Sequence, residues 1–217
     1  MTLTCTPPWL EFDLGEEMQV LSFAPHRPGA VTARHILWRE VRNADLPPDL
    51  DACDWLAGEL SARQASGAVA FLTSRTITKY VTRIAQVGEV RADAVVTIGL
   101  SNAERIGTRL DRRGHDWGTI NIALRLSAGL TPVALIEAMS IAVQARTAAV
   151  MDAGIILPSG TATGTGTDCV ALAAPAGANP YAGLHTATGE AIGKAVYQAV
   201  HTGALEWKAT NRRAAHA

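Results

Sequence analysis

The chain has no surplus of positive charge. Its 19 lysines and arginines face 20 aspartates and glutamates, a formal net charge of −1. Nothing is there to neutralise a phosphate backbone, so nucleic acid is not an expected partner. Cysteine is scarce: Cys5, Cys53 and Cys169 are odd in number and far apart. That fits reduced thiols in a cytoplasm better than a disulfide framework, and no Cys-x-x-Cys spacing marks a zinc site. Residues 1–17 lack the positive start and apolar middle of a signal peptide, holding Pro7, Pro8, Glu11, Asp13, Glu16 and Glu17 instead. Long apolar runs are missing too. The best, residues 133–151, is broken by Glu137, Gln144 and Arg146, so no membrane span or membrane partner is expected. Internal repeats and low-complexity tracts are absent. These absences lead to the expectation of one soluble, cytoplasmic domain over residues 1–217.

Two apolar segments, residues 18–23 and 31–41, are separated by the turn formers Pro25, Pro28 and Gly29 and read as an antiparallel strand pair. After the break at Pro47-Pro48-Asp49, a helical pattern covers residues 50–64, with Asp49 as its expected cap. Residues 68–73, 93–100, 118–127 and 167–174 read as strands. Thr131 and Pro132 open an Ala-rich helix to about Asp152, with Gly154 as its stop. Thr186 or Thr188 starts a last helix ending near His201, and the tail from about Trp207 is expected to fray. A hairpin followed by alternating strands and helices predicts an α/β fold of the α+β type, a single domain with a mixed β-sheet covered by helices.

Three polar stretches are candidates for chemistry. The first, Ser159 to Asp168, is dense in glycine and threonine. No lysine follows its glycines, which excludes a Walker loop. Gly164, Thr165, Gly166 and Thr167 nevertheless read as a binding loop ending on the acid Asp168. The second runs from Tyr181 through His185 to Glu190 at the entry of the last helix. A histidine titrating near neutrality can move protons in amide cleavage, and a nearby carboxylate would fix its tautomer. The third, Gly99-Leu100-Ser101-Asn102, follows a strand and stops one residue short of a nucleophile elbow. Ser101, Asp168 and His185 fall in the serine-hydrolase order, while Ser101 and Asn102 serve equally as caps of the next turn. The other histidines are scattered and no His-Glu-x-x-His helix occurs, so no metal ligand set is assigned.

Four stretches in order resemble the adenosylcobinamide amidohydrolase family of corrinoid salvage: residues 96–107, 118–122, 164–168 and 181–197. The resemblance implies hydrolysis of the amide joining aminopropanol to the corrin ring of adenosylcobinamide, and an adenosylated corrinoid as partner. It implies no resident cofactor, leaving dependence on a divalent metal and assembly into a homo-oligomer open. One departure stands out. Family members tend to carry Thr-Glu-Ala-Lys where this chain has Val143-Gln144-Ala145-Arg146. The chemistry then expected has His185, oriented by Glu190 or Asp168, activating water. Backbone N–H groups of residues 164–167 and the Asn121 side chain would hold the oxyanion and corrin amides, with Ser101 and Asn102 at the substrate. Trp117 or Tyr181 would line an adenosyl pocket. The alternatives are a covalent Ser101 amidase and a non-catalytic corrinoid-binding module.

Overall fold

The computed structural model describes residues 1–47, 49–108, 111 and 118–214. Its strands are β1 (Thr2–Thr6), β2 (Trp9–Ser22), β3 (Gly29–Glu40), β4 (Val69–Thr73), β5 (Val81–Val87), β6 (Val90–Ile98), β7 (Ala103–Glu104), β8 (Ile120–Leu126), β9 (Ile156–Leu157), β10 (Gly160–Thr161), β11 (Gly164–Thr165) and β12 (Cys169–Ala174). The helices are α1 (Ala52–Ala62), α2 (Pro132–Asp152) and α3 (Ala187–Ala214).

The main sheet runs β4-β3-β2-β12-β8-β6-β5, with β1 added on β2. The pairs β3–β4 and β12–β8 are parallel and the others antiparallel, giving the expected mixed sheet in one α+β domain. The expected hairpin is β2–β3, and β2 reaches nine residues further back than its apolar signal, to Trp9.

Four strand steps separate β4 from β8, roughly 19 Å in a flat sheet. Yet Asn121 Nδ2 of β8 donates to the Leu72 carbonyl of β4 at 2.7 Å, so the sheet is rolled. Its concave interior is filled from opposite walls by unequal partners. Phe12, Trp38 and Phe71 from β2, β3 and β4 meet Val95, Ala123, Ala171 and Ala173 from β6, β8 and β12. Large against small keeps such a core filled without voids.

The convex face of β6, β8 and β12 carries Val96, Ile98, Ile122, Leu124, Val170 and Leu172 and packs on α2 and α3. Ala134, Ala138 and Ala142 on α2 and Ala191, Ala195 and Ala199 on α3 repeat every fourth residue, so each set lies on one buried face. Helix α2 is long and apolar enough to cross a bilayer by length and composition, but half of that stretch is buried. Its contacts with α3 and β12 account for the apolar character.

Helix ends follow local chemistry with two shifts. Thr131 caps α2 with Pro132 at its start, and Gly154 follows its end with φ +65°, as expected. At α1 the cap is Asp51, not Asp49: its carboxylate accepts from the Cys53 and Asp54 N–H groups. At α3 the Thr186 hydroxyl accepts from Gly189 N at 2.9 Å. That helix does not stop near His201 but continues through Trp207 to Ala214.

Candidate functional site

The concave interior is layered by strand register. One row, Asp93–Arg125–Ala173, holds a charged pair, with Arg125 Nη1 3.9 Å from the Asp93 carboxylate. The next row, Val95–Ala123–Ala171, is apolar. The last, Thr97–Asn121–Cys169, is polar and lies at the edge where β8 and β12 begin and β6 ends. Beyond it opens a cleft of about 680 Å³ whose wall includes Phe23, Leu72, Thr73, Thr119, Thr167 and Cys169, with Arg42 and Ala52 on the side of α1.

Thr167 is the hub of the rim. Its hydroxyl donates to the Gly118 carbonyl at 2.8 Å. It accepts from Asn102 Nδ2 at 3.2 Å and pairs with Thr119 Oγ1 at 2.7 Å. With its one proton given to Gly118, Thr167 is the acceptor toward Thr119. Asn102, buried, closes the ring by accepting from Gly118 N at 3.1 Å. Gly118 has to be glycine here, since a Cβ would stand 2.7 Å from Ser101 N and 2.8 Å from the Gly99 carbonyl.

Asp168 sits beneath this rim and is fully engaged. Oδ1 accepts from Ile120 N at 3.1 Å and Thr165 Oγ1 at 2.5 Å; Oδ2 accepts from Thr165 N at 2.9 Å and from the Arg146 guanidinium. A carboxylate has about four lone-pair positions, and four donors fill them. Asp168 thus ties the 164–167 loop and the start of β8 to α2, and has no position left to orient a histidine. Arg146 is itself largely buried, which pushes its guanidinium below the usual arginine range. Gly164 passes against both partners, with room for no side chain.

The structure divides the expected site in two. Ser101, Asn102, Asn121, Gly164, Thr165, Gly166, Thr167 and Asp168 gather at the rolled sheet's edge. Tyr181, His185 and Glu190 do not join them. Ala182 N donates to Glu137 Oε2 at 2.6 Å near the start of α2, while Asp168 meets Arg146 near its other end. Nine residue steps along the helix from Glu137 to Arg146 amount to roughly 14 Å. Tyr181 and His185 are exposed, and Glu190 pairs with Lys194 at 2.5 Å. The glycines of that stretch have a packing explanation: a Cβ on Gly189 would stand 2.2 Å from the Gly183 carbonyl, and one on Gly183 would strike Glu137.

The expected oxyanion donors change as well. The N–H groups of Thr165 and Thr167 are turned inward to Asp168 and to Thr165 Oγ1. Asn121 donates from its amide nitrogen to Leu72, and its oxygen has no partner among the described residues. Trp117 lies outside the described residues. Gln144, the departure from the family pattern, is exposed on α2 and away from the buried Arg146.

Sequence reasoning gave no role at the site to Arg146, Thr119 or Cys169. A signal existed for Arg146: it is four residues from Ala142 and three from Ala149, placing a charge on the buried face. Cys169 faces the cleft, and burial, with a smaller contribution from Cys53, pushes its thiol up to about 11. Among the described residues no three His, Cys, Asp or Glu side chains converge on a metal position.

Comparison with known proteins defines the class first: an enzyme that hydrolyses amides. The family model described as adenosylcobinamide amidohydrolase matches residues 1–212, almost the whole chain. The chain belongs to that family. No curated protein matches it in sequence. Among solved structures, the PH0078 protein from Pyrococcus horikoshii OT3 superposes with a TM-score of 0.46 at 11% identity, covering 90% of this chain and 76% of the other. A Burkholderia sp. beta-aminopeptidase gives a TM-score of 0.42 at 11% identity, covering 90% and 78%. Neither distant likeness bears on the site.

Proposed function

We propose that the protein hydrolyses adenosylcobinamide at the amide joining aminopropanol to the corrin, releasing adenosylcobyric acid and aminopropanol, with the cleft at the sheet edge as the active site. The family match over residues 1–212 carries the reaction. The cleft supplies its place. A volume of about 680 Å³ is that of a pocket for a drug-sized ligand, and an adenosylated corrinoid is far larger. One arm or one edge of the substrate therefore enters while the rest of the ring stays outside.

In this reading the rim is the reacting surface. Thr119 Oγ1, with its proton directed to Thr167, presents lone pairs to the cleft and orients the attacking water or the amide N–H. Arg42, exposed at the mouth, places a positive charge where negative charge develops on the carbonyl oxygen. Asp168 and Arg146 are positioning residues that fix the loop and strand carrying these groups. Salvage of corrinoids, remodelling of complete cobamides and a cytoplasmic location follow as parts of the same proposal.

The test is incubation of purified, chelator-treated protein with adenosylcobinamide, followed by mass spectrometry. Adenosylcobyric acid and aminopropanol in equal amounts are the expected products. Unchanged substrate, with or without added divalent metals, would overturn the proposal. Tight binding without turnover would replace it with a corrinoid-binding module.

A further inference from the structure

At the opposite end of the sheet from the cleft, the molecule presents an apolar, uncharged face. Strands β8 and β12 begin at the cleft and end at Leu126 and Ala174, with β8 rising roughly 20 Å on the way. The stretches that follow, residues 127–136 and 175–186, contain no Lys, Arg, Asp or Glu. They are tied together: Leu130 N donates to the Pro175 carbonyl and Thr131 N to the Asn179 carbonyl, both at 3.0 Å. Gly177 packs so closely on Gly129 that a Cβ there would stand 2.5 Å from the Gly129 carbonyl carbon. On this base four large side chains are exposed: Val133 by 71%, Ile136 by 63%, Tyr181 by 68% and Leu184 by 70%. Glu137 joins them into one patch. Its carboxylate accepts from Ala182 N and lies against Gly183, which seats the loop of Tyr181 and Leu184 beside the turn of α2 that carries Val133 and Ile136.

The size and charge of this face fit a second copy of the chain. With about two-thirds of each side chain exposed, the four offer roughly 300–400 Å² of apolar surface. A stable interface takes about 800 Å² from each partner, a little over half of it apolar. The four side chains supply most of that apolar share, and Ala176, Ala178 and Pro180, exposed alongside, add to it. Interface centres are depleted of charge and enriched in aromatic residues, as here with Tyr181. A patch of one sign repels its own copy, whereas this one carries no carboxylate, ammonium or guanidinium to do so. We propose that two copies of the chain meet through this face in an isologous, two-fold contact. The cleft lies at the other end of β8 and β12, so both clefts of the dimer stay open to substrate.

The test is sedimentation velocity of the full chain across the micromolar range, with no corrinoid present, so it is separate from the hydrolysis assay. The expected species has twice the 22.8 kDa mass of one chain. Ile136→Asp and Leu184→Asp each bring like charges together at the two-fold contact and weaken the dimer by about a hundredfold or more. Both sites are exposed, so both variants keep the wild-type melting curve of a folded monomer. Ile156→Asp, on β9 beyond the other end of α2 and 75% exposed, leaves the dimer intact. A wild type that stays monomeric throughout would overturn the proposal, and so would a dimer that survives both patch variants. Two further results would assign the face to another occupant: a monomer that sediments with phosphatidylcholine vesicles unless Leu184 is Asp, or a monomer whose KM for adenosylcobinamide rises in Leu184→Asp.

Discussion

Arg146 of α2 and Asp168 at the foot of β12 form an ion pair with side chains only 15% and 7% exposed, and this pair locks the cleft rim to the helical layer. Removing one member leaves the other charge buried and unpaired. Asp168→Ala is expected to cost about 3–5 kcal/mol of stability. It also frees Thr165 and Ile120 N from their shared acceptor. Urea denaturation checks the loss. Adding Arg146→Met to Asp168→Ala should recover part of it, as removal of both charges ends the unpaired burial.

Gly118 sets how closely the end of β6 approaches the start of β8. In Gly118→Ala the new methyl meets backbone atoms of Gly99 and Ser101 at less than 3 Å, and backbone cannot rotate aside as a side chain can. The expected outcome is a loss of about 1–3 kcal/mol, with displacement of the Gly118 carbonyl from Thr167. Denaturation midpoints read the first, and corrinoid turnover the second.

Much of this fold was legible because local chemistry acts over a few residues. Thr131-Pro132 starts α2 and Gly154 ends it in the structure as the sequence pattern indicates. Strand β5 escaped because its pattern misleads: Ile84 is 56% exposed while Ala85 faces the core. The extension of β2 escaped because Glu11, Asp13, Glu16 and Glu17 hide the inward alternation of Leu10, Phe12 and Leu14. Half of the candidate site was legible for the same local reason, the Gly/Thr loop closing on its own Asp168. The grouping of His185 with Asp168 was not. It depends on which end of α2 each motif meets, and a helix of 21 residues carries them apart.

Cys53 on α1 and Cys169 on the cleft wall should differ sharply in reactivity. Cys53 is exposed, whereas burial holds the Cys169 thiol at about 11. At pH 8 about one part in a thousand of Cys169 is thiolate, the reactive form. Iodoacetamide at pH 8 is therefore expected to label Cys53 first, with labelling of Cys169 rising as pH approaches 11. Peptide mapping by mass spectrometry follows both, and bound corrinoid should slow labelling of Cys169 further.

The central claim places catalysis at the rim of Thr119, Thr167 and Asn102 and not at His185. The most direct measurement compares aminopropanol release from adenosylcobinamide by wild type, His185→Ala and Thr167→Val, each first shown to be folded. The account predicts near wild-type turnover for His185→Ala. It predicts a loss of about a hundredfold for Thr167→Val, the cost of misplacing the groups that orient the reactants. Abolished turnover in His185→Ala together with full turnover in Thr167→Val would contradict it.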